Sequence, residues 1–266
     1  RLLLPVEAGQ RGLRQSEAVF AHVRQLPRVM ESLMAELPTE ATIRAVCASS
    51  KPRDEADSYM PVFQTGCGYG RGIAAALRVP FFETTHQQGH IAAGCIGLPP
   101  LNERFLALHL SGGTTELLLC ENGRLRLVGG SLDLHAGQMV DRVGVRLGLR
   151  FPAGPELEKL AMACADPTEA LLPASLEKDA CYCHLSGAET RAAQLWEKQV
   201  CTPERIAAET FDLLARTVSR MLAAGCKCYQ VRQALVVGGV ASSKLLRGLL
   251  QQRLNKLRSP VEVFFG

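Results

Sequence analysis

Residues 104–131 read "RFLALHLSGGTTELLLCENGRLRLVGGS", and this stretch decides the fold class. Three apolar runs are separated by two turn signals, Ser-Gly-Gly-Thr at residues 111–114 and Asn-Gly at residues 122–123. An Asn-Gly pair between apolar runs is a strong hairpin signal. The stretch therefore predicts three consecutive strands that open a second unit near residue 103.

Strands and helices alternate on both sides of this meander. A helix is predicted over Gln15–Leu37, divided or kinked at Pro27, because its apolar residues recur at helical spacing. The other predicted helices are Val62–Leu77, His135–Leu147, Ala188–Lys198 and Pro203–Ala224. Further helices are predicted to begin at "HQQGH", after the turn in "LRFPAGPELEKLA" and at "VASSKLL". The other predicted strands are Thr42–Ser49, "VPFFETT", "QALVVGG" and the final "SPVEVFFG". This alternation predicts an α/β fold with a mixed sheet.

Composition excludes few classes of function, but it indicates the kind of protein and its compartment. No apolar run approaches the roughly 20 residues of a membrane helix. The ten cysteines are scattered, which favours reduced thiols in a cytosolic protein. The net charge of +4 is compatible with an anionic partner such as RNA but too small to indicate one. The chain lacks an initiating Met and ends in a strand that has just begun, so we expect a fragment with both ends missing.

Two glycine-rich turns are candidates for anion binding. The turn Ser111–Thr115 follows an apolar strand; its glycines expose N–H donors, and its serine and threonines add hydroxyls. A phosphate-holding hairpin and an ordinary β-turn both remain open. The turn Gly238–Ser243 joins a buried strand to a helix, where α/β sheets present helix N-termini to ligands. Ser242 and Ser243 could cap that helix or bind a nucleoside.

Charged and metal-ligating residues add two more candidates. On a helix, Asp141 lies one turn after Gly137, where its carboxylate could bind a ribose or pair with a neighbouring arginine. His86 and His90 in "THQQGH" have the spacing of a helical metal pair. Zinc proteases use H-E-x-x-H, but Gln87 cannot act as the base, which argues against a protease.

The order of these motifs resembles the universal tRNA threonylcarbamoyladenosine transferase family, long labelled glycoprotease or O-sialoglycoprotein endopeptidase, in a divergent branch found in Firmicutes. The resemblance runs from "GLRQSEAVFAHVRQLP" to "GGVASSKLLR". The H-x-x-x-H motif of the family is matched by His86 and His90, and its S-G-G-[HNT]-T motif by Ser111–Thr115. Its G-E-x-x-D motif is matched by Gly137–Asp141, with Gln138 in place of Glu.

Three further motifs match towards the end of the chain. The Y-P-G-G-P turn is matched by Phe151–Pro155, with Gly154 at the second glycine. The S-G-x-K-T segment is matched by Ser186–Thr190, with Glu189 in place of Lys. The G-G-V-[SA]-x-N loop is matched by Gly238–Ser243, with Ser243 in place of Asn.

The resemblance implies the actin-like ATPase fold of Hsp70 and sugar kinases, with two lobes around a nucleotide cleft and both termini incomplete. Residues 1–102 would form the first lobe with the histidine pair, and residues 103–266 the second lobe with the nucleotide loops. A third metal ligand, an Asp, would lie beyond Gly266. The implied metal ligands are His86 and His90, and the implied nucleotide-binding residues are Ser111, Gly112, Gly113, Thr114, Thr115, Asp141, Gly154, Gly238, Gly239 and Ser243.

The implied activity is metal-assisted transfer of threonylcarbamoyl from threonylcarbamoyl-AMP to adenosine in tRNA, by an acyltransferase that needs no side-chain nucleophile. The implied cofactor is one divalent ion, iron or zinc, and the nucleotide is an adenylate or ATP-type substrate. Implied partners are tRNA and a same-fold subunit or a second copy, in the cytoplasm and without a membrane.

Two alternatives on the same scaffold remain open. One is ATP hydrolysis or phosphoryl transfer, which needs a carboxylate near the phosphates, with Glu116 and Asp141 as candidates. The other is a non-catalytic nucleotide-binding partner subunit.

Overall fold

The computed structural model describes residues 14–55, 57–165 and 170–266. They divide into two compact units between His90 and Ile91. This division falls before the boundary predicted after residue 102, and the assignment of lobes stays a prediction. None of the helices in the described ranges is both long enough and apolar enough to cross a membrane.

The first unit packs two helices with a two-stranded parallel sheet. Its elements are α1 (Gln15–Glu36), β1 (Val46–Lys51), α2 (Pro61–Leu77), β2 (Phe81–Thr85) and the first turns of α3 (His86–Gly94). Gly70 allows α2 to lie close to the strands, because a Cβ there would be 3.1 Å from Phe81 and 3.4 Å from Ala48.

Of the two effects predicted for Pro27, a division or a kink of the first helix, the structure excludes the division. Helix α1 runs without a break from Gln15 to Glu36 with Pro27 inside it. Inside a helix, a proline removes one N–H donor and its ring crowds the carbonyl four residues earlier, which kinks a helix that does not break, so the kink at Pro27 stays a prediction.

The second unit is built on a seven-stranded mixed sheet of order β6-β7-β5-β4-β3-β8-β9. Its strands are β3 (Arg104–Leu110), β4 (Thr115–Glu121), β5 (Arg124–Ser131), β6 (Ser175–Leu176), β7 (Tyr182–His184), β8 (Gln233–Val237) and β9 (Glu262–Phe265). Its helices after α3 are α4 (Ala136–Arg146), α5 (Gly154–Met162), α6 (Ser186–Glu197), α7 (Pro203–Tyr229) and α8 (Lys244–Lys256). Strands β3, β4 and β5 form the predicted antiparallel meander, and β8 pairs parallel with β3.

The sheet separates two apolar clusters because alternate residues of each strand face opposite sides. Leu106, Leu108 and Leu110 of β3 join the larger cluster with helices α4 to α8, whereas Ala107 joins a smaller cluster that includes Ile91. Helix α7 lies against the sheet at Gly225, where a Cβ would be 2.9 Å from Leu106.

Parallel pairing brings the two predicted ligand turns to one edge of the sheet. His109 of β3 is level with Val237 of β8, so the turn after Leu110 and the turn after Val237 leave the sheet together. Gly238 has φ +107°, and a Cβ there would be 2.2 Å from the Leu110 carbonyl oxygen. Only glycine fits this approach of the two strand ends.

Candidate functional site

A cavity of about 240 Å³ opens in the second unit beside these two turns. Its walls come from the hairpin after β3, helices α4, α5 and α7, and the turn between β8 and α8. The lining residues are Gly112, Gly137, Val140, Asp141, Pro152, Gly154, Pro155, Glu158, Phe211, Gly239, Val240, Ser242 and Ser243.

Five predicted binding residues line this cavity: Gly112, Asp141, Gly154, Gly239 and Ser243. The other five are not among its lining residues: Ser111, Gly113, Thr114, Thr115 and Gly238. Four motifs that are distant in the sequence therefore meet at one cavity. The binding role of all ten residues stays a prediction.

Helix α4 docks directly on the Ser-Gly-Gly-Thr hairpin. The Gly137 N–H donates to the Ser111 carbonyl oxygen at 3.1 Å, and the Ala136 N–H donates to the hydroxyl oxygen of buried Thr115 at 2.8 Å. A Cβ on Gly137 would lie 2.6 Å from the Gly112 backbone. Thr115 therefore satisfies an orphan donor of the helix, and Gly137 allows the close approach.

Asp141 ties α4 to the turn that precedes α5. Its Oδ1 accepts a hydrogen bond from the Ala153 N–H at 2.8 Å. Arg146 instead pairs with Glu197 at 2.8 Å and Glu189 at 3.7 Å, so it is not the partner of Asp141. A carboxylate has two oxygens, and Oδ2 remains as a possible acceptor for a ligand hydroxyl.

The N-terminus of α8 is held by two side chains. Ser243 is the N-cap, and its Oγ accepts from the Leu246 N–H at 3.1 Å. Glu158 Oε1 accepts from the Leu245 N–H at 2.8 Å. The predicted capping role of Ser243 is confirmed. Glu158 and Phe211 were not predicted, because nothing in the sequence pattern shows which residues of α5 and α7 face this turn.

Replacing Ser243 with alanine should destabilise the protein by about 1 kcal/mol, because the N-cap acceptor is lost. Ser243→Asn should keep most of that stability, since asparagine is an equally good cap. Urea unfolding curves of the three proteins measure this difference. Equal stability of the alanine variant and the parent would show that the cap contributes nothing.

Glu116, one candidate carboxylate for phosphoryl transfer, lies elsewhere. It is 7% exposed, opposite His109 in the β3–β4 pairing, and is not a lining residue of the cavity. The geometry therefore places only Asp141, of the two candidates, beside the cavity.

Asp133 clamps the start of α4 to the start of α6. Its carboxylate accepts from the N–H groups of Leu134, Leu185 and Ser186 and from the Ser186 hydroxyl. Partial burial opposes ionisation, but the Ser186 hydroxyl and the three N–H groups outweigh it and lower the pKa of Asp133 to about 2. His184 Nδ1 lies 3.6 Å from the same carboxylate.

We expect Asp133→Asn to lose about 1 kcal/mol of stability at pH 7, because the lowered pKa of Asp133 reports a stabilised carboxylate and solvent screens part of that effect at an exposed residue. A lowered pKa gives stability that is present above pH 4 and is lost as the pH falls towards 2. The difference in the free energy of unfolding between parent and variant should therefore shrink as the pH falls from 4 to 2. Urea titrations at pH 7 and pH 3 measure it, and a gap that is the same at both pH values contradicts the assignment.

The predicted metal pair opens helix α3 in the first unit. The Nε2 atoms of His86 and His90 are 3.1 Å apart. Two nitrogens bound to one ion at about 2.0–2.1 Å lie about 3.0–3.4 Å apart, so the pair fits a chelating site. Desolvation, with a smaller effect from His90, lowers the pKa of His86 and favours the neutral imidazole that binds metals. Within the described ranges, no group of three His, Cys, Asp or Glu side chains is placed to hold an ion.

The ten cysteines all carry free thiols, as predicted. Cys181 and Cys183 of the C-x-C pair are both buried, and desolvation raises the pKa of each thiol to about 11. A neutral, buried thiol is neither a nucleophile nor a metal ligand.

Comparison with known proteins finds one family over most of the chain. The family model TsaD, described as tRNA N6-adenosine threonylcarbamoyltransferase, matches residues 7–265. The protein of that name from a strain of Thermus thermophilus is 34% identical over 230 residues, which cover 85% of this chain and 68% of the relative. The protein of that name from Thiobacillus denitrificans is 35% identical, covering 75% of this chain and 59% of the relative.

Solved structures resemble the chain at low sequence identity. HypF from T. kodakarensis has a TM-score of 0.64 at 12% identity, covering 91% of this chain and 40% of HypF. HypF in its phosphate- and nucleotide-bound form has a TM-score of 0.62 at 15% identity, with coverage of 94% and 39%. These similarities confirm the predicted actin-like ATPase fold.

Proposed function

The chain belongs to the tRNA N6-adenosine threonylcarbamoyltransferase family, and from this membership we propose that it transfers a threonylcarbamoyl group from threonylcarbamoyl-AMP to an adenosine of tRNA. The observation that carries the proposal is the cavity in the second unit. There the Gly112 hairpin, the α4 helix with Asp141 and the Ser243 turn surround one space, and the N-termini of α4, α5 and α8 all contribute lining residues.

Each wall of the cavity suits one part of an adenylate. Backbone N–H groups of the hairpin favour a phosphate, because they present positive partial charge. The first N–H groups of α8 already donate to Glu158 and Ser243, so the hairpin is the proposed phosphate-binding wall. Asp141 Oδ2 is an acceptor for a ribose hydroxyl. Phe211 and Val140 offer apolar surface for a purine ring.

The reaction needs positioning more than a nucleophilic side chain. The adenosine N6 amine would form a bond to the carbamoyl carbon, the bond from that carbon to the phosphate oxygen would break, and AMP would leave with its electron pair while N6 loses a proton. The hairpin donors would stabilise the negative charge on the departing phosphate.

We also propose that His86 and His90 hold a divalent ion, iron or zinc. The support is the 3.1 Å separation of their Nε2 atoms. When bound, such an ion supplies Lewis-acid charge to a phosphate or carbamoyl oxygen.

A partner protein, either a same-fold subunit or a second copy, is proposed for the first unit. Helix α1 leaves Phe20 64%, Val23 55% and Leu33 49% exposed, which is unusual apolar exposure on one helix. We also propose a cytoplasmic location, because the proposed substrate is tRNA.

The proposal is tested with purified full-length protein, threonylcarbamoyl-AMP and an unmodified tRNA transcript. Nucleoside mass spectrometry should detect threonylcarbamoyladenosine, and release of AMP should depend on the tRNA. No product, even with a same-fold subunit from the same organism, would reject the activity. ATP hydrolysis that is independent of tRNA would instead favour the phosphoryl-transfer alternative.

A further inference from the structure

Helix α3 begins with a reciprocal capping box. The Gln88 N–H donates to the Thr85 hydroxyl oxygen at 3.1 Å, and the Thr85 N–H donates to Gln88 Oε1 at 2.9 Å. The Thr84 hydroxyl donates to the same Oε1 atom at 3.0 Å. Such a box satisfies two backbone donors and fixes the first turn of a helix. That turn carries His86, and His90 follows one turn later on the same face.

Two further contacts hold this turn against other parts of the first unit. The N–H of buried Gln87 donates to the Pro52 carbonyl oxygen at 3.1 Å, which ties the turn to the loop after β1. The Phe63 ring of α2 meets the His86 ring in a T-shaped contact, with 5.7 Å between the ring centroids and 63° between the planes. T-shaped aromatic pairs attract each other, so Phe63 restricts the orientation of the His86 ring.

The two imidazoles hold each other at the separation that a chelated ion requires. Their centroids are 4.4 Å apart, the planes of the rings meet at 79°, and the Nε2 atoms are 3.1 Å apart. A neutral imidazole has one donor nitrogen and one acceptor nitrogen, so one Nε2–H can donate to the other Nε2 at this distance. The same separation therefore suits a hydrogen bond between the rings and a metal ion bound to both.

We propose that Thr85, Gln88 and Phe63 are positioning residues that preorganise His86 and His90 for a divalent ion. Binding would otherwise have to fix two rotating rings and the end of a fraying helix, and a preorganised site avoids that cost. The three residues act through the histidines and do not themselves bind the ion. The inference rests on the metal pair of the proposed function, and it goes further by assigning the residues that set the affinity of the pair.

Titration of the full chain with zinc, in competition with a colorimetric chelator, tests the proposal. Thr85→Val keeps the shape of the side chain but removes its acceptor, and Gln88→Leu keeps a good helix former but removes Oε1. Each should weaken zinc binding about tenfold, as is typical of residues that orient metal ligands. Phe63→Leu should weaken it about threefold, the size of a lost aromatic pair. Thr85→Ser restores the acceptor and should bind zinc like the parent.

Two matched substitutions test whether a loss of stability alone explains weaker zinc binding. Thr202 caps helix α7, where its hydroxyl oxygen accepts from the Arg205 N–H at 3.3 Å, and half-buried Phe81 lies on β2. Thr202→Val and Phe81→Leu repeat the exchanges made at Thr85 and Phe63. They should lower the midpoint of urea unfolding by similar amounts and leave the zinc affinity unchanged.

Four outcomes decide the matter. Parent-like zinc affinity in the Thr85, Gln88 and Phe63 variants overturns the proposal and leaves the histidine pair as metal ligands. Equal losses of affinity in the matched substitutions overturn it as well, because stability alone would then explain them. A parent that binds zinc no better than the variant with alanine at both His86 and His90 rejects the metal pair and the positioning role together. Zinc binding that depends on the three residues, in a parent that makes no threonylcarbamoyladenosine, supports the positioning role and rejects the proposed activity.

Discussion

Replacing Gly137 with alanine is expected to destabilise the protein by about 3 kcal/mol and to abolish detectable adenylate binding. The added Cβ would lie 2.6 Å from Gly112 Cα, Gly112 N and the Ser111 carbonyl oxygen. All three are backbone atoms, which cannot move as a flexible side chain does. Overpacking typically costs about 1–3 kcal/mol, and here the hairpin itself would be displaced from α4.

A helical glycine in open space is the control for this substitution. Gly248 lies inside α8, and a Cβ there would have no neighbour within 4 Å. Gly248→Ala should therefore stabilise the protein by about 0.5–1 kcal/mol, because alanine is the better helix former. Urea unfolding measures stability, and calorimetric titration with AMP measures binding. Normal AMP affinity in a folded Gly137→Ala variant would show that the hairpin is not part of the binding site.

The sequence predicted the strands of the second unit well because its signals are local. Glycine turns at 111–114 and 122–123 separate three apolar runs, and the structure has strands β3, β4 and β5 there. The short pair β6 and β7 was not distinguished from irregular chain. Strands of two and three residues carry no periodicity, and these two are defined by tertiary pairing, of β7 with β5 and of β6 with β7.

Only some of the residues that line the cavity could be predicted from the sequence. Gly112 and Gly239 belong to turns, where residue type itself shows a constraint, whereas Asp141 lies inside α4 and was predicted from its spacing to Gly137 and from the family motif that it matches. Glu158 and Phe211 lie inside helices, and their helical pattern is the same whether they face a core or a ligand. Their place beside the cavity follows from how α5 and α7 pack, which is tertiary information.

Replacing both His86 and His90 with alanine is expected to remove the bound metal and to lower threonylcarbamoyl transfer about 1,000-fold. The loss corresponds to the several kcal/mol that a Lewis-acid ion contributes to stabilising charge in a transition state. Each single variant keeps one of the two nitrogens that lie 3.1 Å apart, so we expect metal affinity to fall steeply with either change. Elemental analysis of the purified protein gives the metal content, and nucleoside mass spectrometry gives the transfer rate.

Two control variants accompany the double histidine variant. The first tests whether removing any histidine has the same effect, and the second tests the protease hypothesis. His22 lies on α1, where its Nδ1 contacts the Ala18 carbonyl oxygen at 2.8 Å, and His22→Ala should keep metal and activity. Gln87→Glu restores the H-E-x-x-H pattern, yet it should create no peptidase activity, because the proposed chemistry uses the ion to offset phosphate charge and needs no water-activating base. Full metal content and full transfer in the double histidine variant would refute the pair as ligands. Transfer that persists after the metal is lost would instead leave the Gly112 hairpin as the group that stabilises the leaving phosphate.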